Sequence, residues 1–202
     1  MSVGYTGVRG CAGTAPGGTL ATVDEARHDL PDAFFAGVKE LSERLSCSPL
    51  DLLAVMAGQS GVQADAQHRT SRATGLIQLM PKTLRGLGWV DGPDAFRRLS
   101  AVEQLPYVQK YFQPFVRHGL GSSGRLYQAL FLPGTLARGS DPDTVVCASD
   151  GPFADAYAAN TDLDPRGRGR ITVADLTGRV DKARTDPRWA ALVARLAAVT
   201  AA

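Results

Sequence analysis

From position 31 onward the chain carries apolar residues at helical steps. Phe34, Phe35, Val38 and Leu41 recur three and four residues apart, which lines them up on one face of a helix running toward Leu45. Ser48, Pro49 and Asp51 stand as an N-cap serine, a proline at the first helical position and an acid three residues after the cap, so a second helix starts near Pro49. Its residues Leu50, Leu52, Leu53, Ala54, Val55, Met56 and Ala57 are apolar nearly all round, and a helix of that kind runs through the middle of a domain. It ends near Gly61. Ser100 and Glu103 form another capping box, opening a stretch with Val102, Leu105, Val108, Tyr111, Phe112 and Phe115 that runs toward His118, disturbed at Pro106 and Pro114. Residues 126–132 read as a short apolar helix closed by Pro133-Gly134. Asp186-Pro187 caps a last helix over residues 187–200, whose Trp189, Leu192, Val193, Leu196 and Val199 form one stripe with Arg188 and Arg195 turned away. No strand series and no long-period repeat stands out. The pattern predicts a mainly α fold, with one core domain over residues 31–202 behind a flexible Gly-rich arm of residues 1–30.

Composition narrows the possibilities. The chain has 202 residues, 44% of them hydrophobic, which suits one globular domain with a tail and excludes disorder throughout. Its 22 basic and 20 acidic side chains leave a net charge of +2, too balanced to make nucleic acid an expected partner. No apolar run approaches the roughly 20 residues of a membrane-crossing helix, and the first 30 residues lack the basic start and apolar block of a signal peptide. Cys11, Cys47 and Cys147 are too scattered for a zinc cluster or a CxxC redox pair, and His28, His68 and His118 fit no GxSxG or HExxH hydrolase pattern. No metal or cofactor is expected.

The chemistry concentrates where the central helix ends. Gly58-Gln59-Ser60-Gly61 leads into a polar loop reaching Arg72, followed by Ala73-Thr74-Gly75-Leu76-Ile77-Gln78-Leu79-Met80-Pro81. A buried helix that delivers a polar side chain to its end can orient that group for chemistry. Equally, Gln59 and Gln78 can serve to satisfy loop backbone groups.

Residues 48–90 resemble the lysozyme-like domain of soluble lytic transglycosylases and phage-tail muramidases, which share the goose-type lysozyme core. The stretch from Gly75 through Pro81 and on to Thr83 is similar to that family's Gly-Leu-Met-Gln motif, and Gln59-Ser60 stands where the family has Glu-Ser. Weaker similarity continues through Leu126-Tyr127-Gln128-Ala129. The resemblance implies a helical lysozyme-like fold that grips the MurNAc-GlcNAc strand of peptidoglycan, with Ser60, Gly75, Gln78, Met80 and Tyr127 contacting sugar and position 59 beside the scissile bond. The family's glutamate is a general acid, and an amide has no proton to give near neutral pH. The chain as written is therefore expected to be inactive or strongly impaired, slower than a Gln59→Glu counterpart by at least about 10²-fold. Asp65 is the only carboxylate in the loop after Gln59, and the next acid is Asp91. Lacking a water-activating carboxylate, an active form is expected to release an anhydro-sugar by intramolecular attack. The alternative is a non-catalytic structural or interaction component of a phage-tail or injection-type assembly. Either role implies synthesis in the cytoplasm and delivery to the wall or periplasm by lysis or by an assembly.

Residues 162–176 hold a second altered motif. From Asp164 to Asp175 the chain keeps an acid first, a glycine sixth, an isoleucine eighth and an acid twelfth, as in a calcium loop, and some phage muramidases resembling this chain carry such a loop. Positions three and five are Arg166 and Arg168, which cannot ligate a cation. They are expected to replace the ion's charge by pairing with Asp162, Asp164 or Asp175.

Overall fold

A computed structural model describes residues 30–201. Residues 1–29 of the Gly-rich arm, with Cys11 and His28, lie outside the described residues, while Leu30, its last residue, is buried in the core. Helix α1 (Asp32–Leu45) buries Phe34, Phe35, Val38, Leu41 and Leu45, the face its spacing required, and ends at Ser46 in a left-handed conformation. Helix α2 (Pro49–Ser60) begins under the Ser48 hydroxyl, which accepts from Asp51 N at 3.4 Å, and every residue from Asp51 to Ala57 is buried. Gly61, at φ 67°, closes it where an L side chain would be strained.

Two short helices follow, α3 (Pro81–Gly86) and α4 (Gly92–Phe96), and then α5 (Ala101–Phe112). The box at its start is complete: Ser100 N donates to Glu103 Oε2 at 2.8 Å and Glu103 N to the Ser100 hydroxyl at 3.3 Å. Pro106 sits inside α5 without ending it, and the chain tightens into a 3₁₀ turn over Gln113–His118 after Phe112. Helix α6 (Ser123–Phe131) starts three residues before its apolar run, capped by Ser122, and all nine of its residues are buried. Among the described residues its Arg125 has no carboxylate partner. Instead its guanidinium donates to the carbonyls of His118, Leu136 and Gly139 and to Gln128 Oε1, so the buried cation binds the turns after α5 and α6 into one unit.

Two short strands depart from the expectation of none. β1 (Val145–Ala148) pairs antiparallel with β2 (Arg170–Thr172), with a register shift between Val145 and Cys147. Strands of four and three residues are too short for a two-residue alternation to be visible. Helix α7 (Ala154–Ala158) lies between them. A further helix, α8 (Val173–Thr185), was not anticipated as an element because its exposed faces are strongly polar; Thr172 and Asp175 form its capping box. The final helix is α9 (Ala190–Ala201), entered through a 3₁₀ turn over Pro187–Trp189 that Asp186 caps. Leu192 and Leu196 are buried as the stripe requires. Arg195 is not turned away: its guanidinium lies 4.6 Å from the Phe35 ring centroid and bonds Asp32 at 2.7 Å, tying α9 to α1.

Helix α2 touches α1, α6, α8 and α9, while α1 also packs on α5 and α6 packs closely on α8. Arg184 of α8 pairs with Asp51 at the start of α2, whose carboxyl burial pushes above its ordinary value against the pull of that cation. Among the described residues no helix is long and apolar enough to cross a membrane.

The α6–α8 approach depends on Gly124, where a Cβ would come to 3.0 Å from the Val173 carbonyl and closer still to the Thr177 hydroxyl. Gly178, on helix α8, has nothing within 4 Å. Gly124→Ala is therefore expected to destabilise by about 1–3 kcal/mol through overpacking, whereas Gly178→Ala stabilises by up to about 1 kcal/mol through helix propensity. Urea unfolding of both variants checks the opposite signs.

Candidate functional site

The end of α2 is pinned to the loop that follows it. Ser60 directs its hydroxyl at the Leu76 carbonyl, 2.9 Å away, with the Met56 carbonyl at 3.2 Å. Thr74 stands at the centre of the loop, bridged on one side to Gln67 and on the other to Leu79. The turn over residues 75–78 is held from below by Gln104, a glutamine only 1% exposed. Gln104 Oε1 accepts from Leu76 N at 3.0 Å, and its amide donates to the Ala64 carbonyl at 2.7 Å with the Phe96 carbonyl at 3.3 Å. This side chain approaches so near that Gly75, at φ 80°, has no room for a Cβ. Behind the turn, Trp89, Phe96 and Tyr107 meet edge to face with centroids 5.2–5.7 Å apart.

Gln78 itself is left-handed, at φ 52°, and its amide donates to the carbonyls of Gly75 (3.0 Å) and Ala66 (3.2 Å). Of the residues expected to contact sugar, Ser60 and Gln78 thus have their donors committed to the loop's own backbone. Met80 is the N-cap of α3, and Gly75 is the close-approach point of the turn.

Gln59 and Tyr127, 68 positions apart in the chain, are brought together. Tyr127 on α6 is 7% exposed, and its hydroxyl lies within electrostatic reach of the side chains of Gln59 on α2 and Arg179 on α8. Burial pushes the phenol above its ordinary value, so it stays protonated near neutral pH. Arg179 lies 3.8 Å from Asp162, close enough for ion pairing and too long for a hydrogen bond. The cluster consists of an amide, a phenol and a guanidinium with one carboxylate at its edge. It offers donors and positive charge, and at position 59 it has nothing to protonate a leaving group. Asp65, the acid nearest in sequence, is exposed on the loop.

The altered calcium-like loop folds around an arginine. Arg168 bonds both oxygens of Asp175 at 2.5 Å and reaches Asp164 Oδ1 at 3.3 Å. Asp164 is only 4% exposed and also accepts from Gly169 N, Arg170 N and the Tyr157 hydroxyl. Only part of the expected pairing is seen: Asp162 faces Arg179 instead, and Arg166 is exposed. Burial alone would raise the Asp164 carboxyl; the Arg168 backbone N–H, the Tyr157 hydroxyl and the guanidinium outweigh it and hold it below the usual range. Asp175 is lowered in the same way, by Thr172 and Arg168 against burial.

The remaining reactive groups are quiet. Burial pushes the Cys47 thiol up to about 12 and the Cys147 thiol up to about 11, which leaves both protonated and poorly nucleophilic. His68 Nδ1 accepts from Ser71 N at 3.2 Å and serves a turn. Among the described residues no group of three His, Cys, Asp or Glu side chains is placed to hold a metal ion.

No protein-family model, no curated protein and no solved structure matches this chain. Two contributors to the site were not singled out in the sequence. Arg179 sits in a helix whose only early signs are the Thr172–Asp175 box and the spacing of Val173, Leu176 and Val180. Gln104 is one polar residue inside an otherwise apolar helical face, and nothing local tells that its partners lie 28 and 40 positions back.

Gln104→Leu leaves the Leu76 N–H and the Ala64 carbonyl without their buried partner, an expected loss of about 1–3 kcal/mol with faster hydrogen exchange at the Leu76 amide. The Arg168 cluster generates a pH prediction. Asp164 and Asp175 have folded values below their unfolded ones, so the stability they lend is complete above about pH 4 and drains away as pH falls through the depressed values. Arg168→Ala removes the shared cation and moves the acid-unfolding midpoint, followed by circular dichroism, to higher pH. Calorimetric titration of the parent chain with calcium is expected to show no tight uptake.

Proposed function

We propose that this chain is a lysozyme-like domain that binds the MurNAc-GlcNAc strand of peptidoglycan and, with Gln59 where lytic transglycosylases and goose-type lysozymes carry an acid, cleaves it poorly or not at all. The observation that carries this reading is the meeting of Gln59 with Tyr127 beside a loop pinned by Ser60. Position 59 lies at the end of a rigid buried helix, and the Gly75 turn next to it is preorganised by Gln104. Such a supported side chain suits a role in orientation. The amide that replaces the acid keeps its shape and its capacity to hydrogen-bond a sugar while losing the transferable proton.

A second reading is a non-catalytic component of a phage-tail or injection-type assembly, delivered to the wall by that assembly or by lysis. It is favoured by the coincidence of two replacements: Gln59 for the acid, and Arg168 in the place of a cation.

The test is Gln59→Glu. Incubated with purified cell wall, the variant is expected to release anhydro-sugar products at least about 10²-fold faster than the parent. Folded but silent parent and variant, with no thermal stabilisation by wall fragments, would favour the assembly role.

A further inference from the structure

The chain between β1 and α8 is fastened differently from the helices that enclose α2. β1, α7 and β2 have their main packing on one another and on α8, and α8 in turn packs on α2 and α6. A two-stranded sheet with strands of four and three residues is marginal when left to itself. From Ser149 to Thr172 the buried apolar side chains are Leu163 and Ile171, a small stake for a segment of that length. Ionic bonds make up the difference. The Asp164 carboxylate accepts from Gly169 N at 2.9 Å, the Tyr157 hydroxyl at 3.0 Å, and Arg170 N and Arg168 Nε at 3.3 Å. Arg168 joins it to Asp175 of α8, which also accepts from Thr172 N and the Thr172 hydroxyl at 2.8 Å. The two roots of the segment are held without carboxylates. Arg138 donates to the Val145 and Val146 carbonyls, and Val173 N and Ala174 N donate to the carbonyls of Thr144 and Pro142.

We propose that residues 149–172 form an acid-released flap, hinged at β1 and at the start of α8 and closed by the Arg168 clip between Asp164 and Asp175, which opens while the helices around α2 stay packed. Protonating either carboxylate removes acceptors from a buried cluster and leaves amides and a guanidinium without partners of equal strength. Both carboxyls are held below the ordinary range, so what they contribute is lost as pH falls. Asp51, the buried carboxyl at the start of α2, is raised by burial instead, so the helical core gains as Asp51 takes up its proton. Acid thus acts in opposite senses on flap and core. Glu103 and Asp186 are lowered too, but they cap α5 and the turn into α9 rather than join packed units. Of the other groups around the clip, Asp162 faces Arg179 at 3.8 Å, Arg166 and Arg170 are exposed, and the Cys147 thiol, pushed up to about 11, stays neutral in acid. Opening also withdraws Asp162 from Arg179 on α8. The flap is independent of what the end of α2 binds.

The experiment is hydrogen exchange of the full chain followed by NMR, as protection factors corrected for intrinsic exchange, in a pH series from neutral to well below the carboxylate range. The Ser149, Gly169 and Arg170 amides, bonded to Gly169 O and to Asp164, are expected to lose protection at least about tenfold below about pH 4. The amides of Leu53, Val55 and Ala57 in α2 are expected to keep theirs at the same pH. Arg168→Ala and Asp164→Asn, which remove the cation and the charge it holds, should open the flap already at neutral pH, whereas Arg166→Ala should leave it closed. Loss of protection in flap and α2 together would overturn the proposal, because the acid transition would then be global. Undiminished protection of the flap at the lowest pH, or in a folded Arg168→Ala, would overturn it as well. If neither Arg168→Ala nor Asp164→Asn folds, the pH series on the parent chain decides between these outcomes by itself.

Discussion

A helix that is apolar on every side has to be enclosed, and the enclosure of α2 organises the rest of the molecule. Its residues from Asp51 to Ala57 are buried, and four other helices lie against it. Once that helix is in the centre, its polar end emerges in a fixed place and direction. Gln59 and Ser60 are then held by a rigid element, which positions side chains more tightly than a loop does. The loop after Gly61 is in turn measured against that end, through the bond from Ser60 to Leu76.

Burying backbone turns creates an obligation to satisfy their polar groups, and long polar side chains at three places meet it. Gln104 serves the loop after α2. Arg125 and Gln128 serve the turns around α6, with Gln128 donating to Thr135. Arg168 and its two carboxylates serve the turn before α8. Gln104 and Arg125 reach the backbone directly, whereas Arg168 holds Asp164, whose carboxylate accepts from the Gly169 and Arg170 amides. In the last the side chain does what a bound cation does elsewhere, drawing a first and a twelfth residue together by charge. Its effect reaches the candidate site, because α8 carries Arg179 to Tyr127.

What was legible along the chain was whatever depends on neighbours in sequence. The α1 face, the Ser48 and Ser100 caps, the apolar surface of α2 and the Gly61 stop are local matters of period and capping, and each stands where the pattern put it. Helix α8 was missed because a helix with polar exposed faces shows little period, and β1 and β2 because three or four residues cannot display one. Arg195 was misplaced since a cation on a stripe's edge looks solvent-bound until an aromatic ring is found beneath it.

The sequence by itself determined that this is a mainly helical chain with one enclosed helix, an amide at position 59 and arginines inside a loop patterned for a cation. Those follow from residue type and spacing, which act over a few positions. Only the tertiary structure decided which groups meet. Gln59, Tyr127 and Arg179 come from three helices, and their convergence is set by how α2, α6 and α8 pack at Gly124 and around the core. It likewise decided that Arg168 rather than Arg166 takes the carboxylates, since turn geometry points only one of the two inward. Packing and burial act across the whole chain, and they turned scattered polar residues into a site.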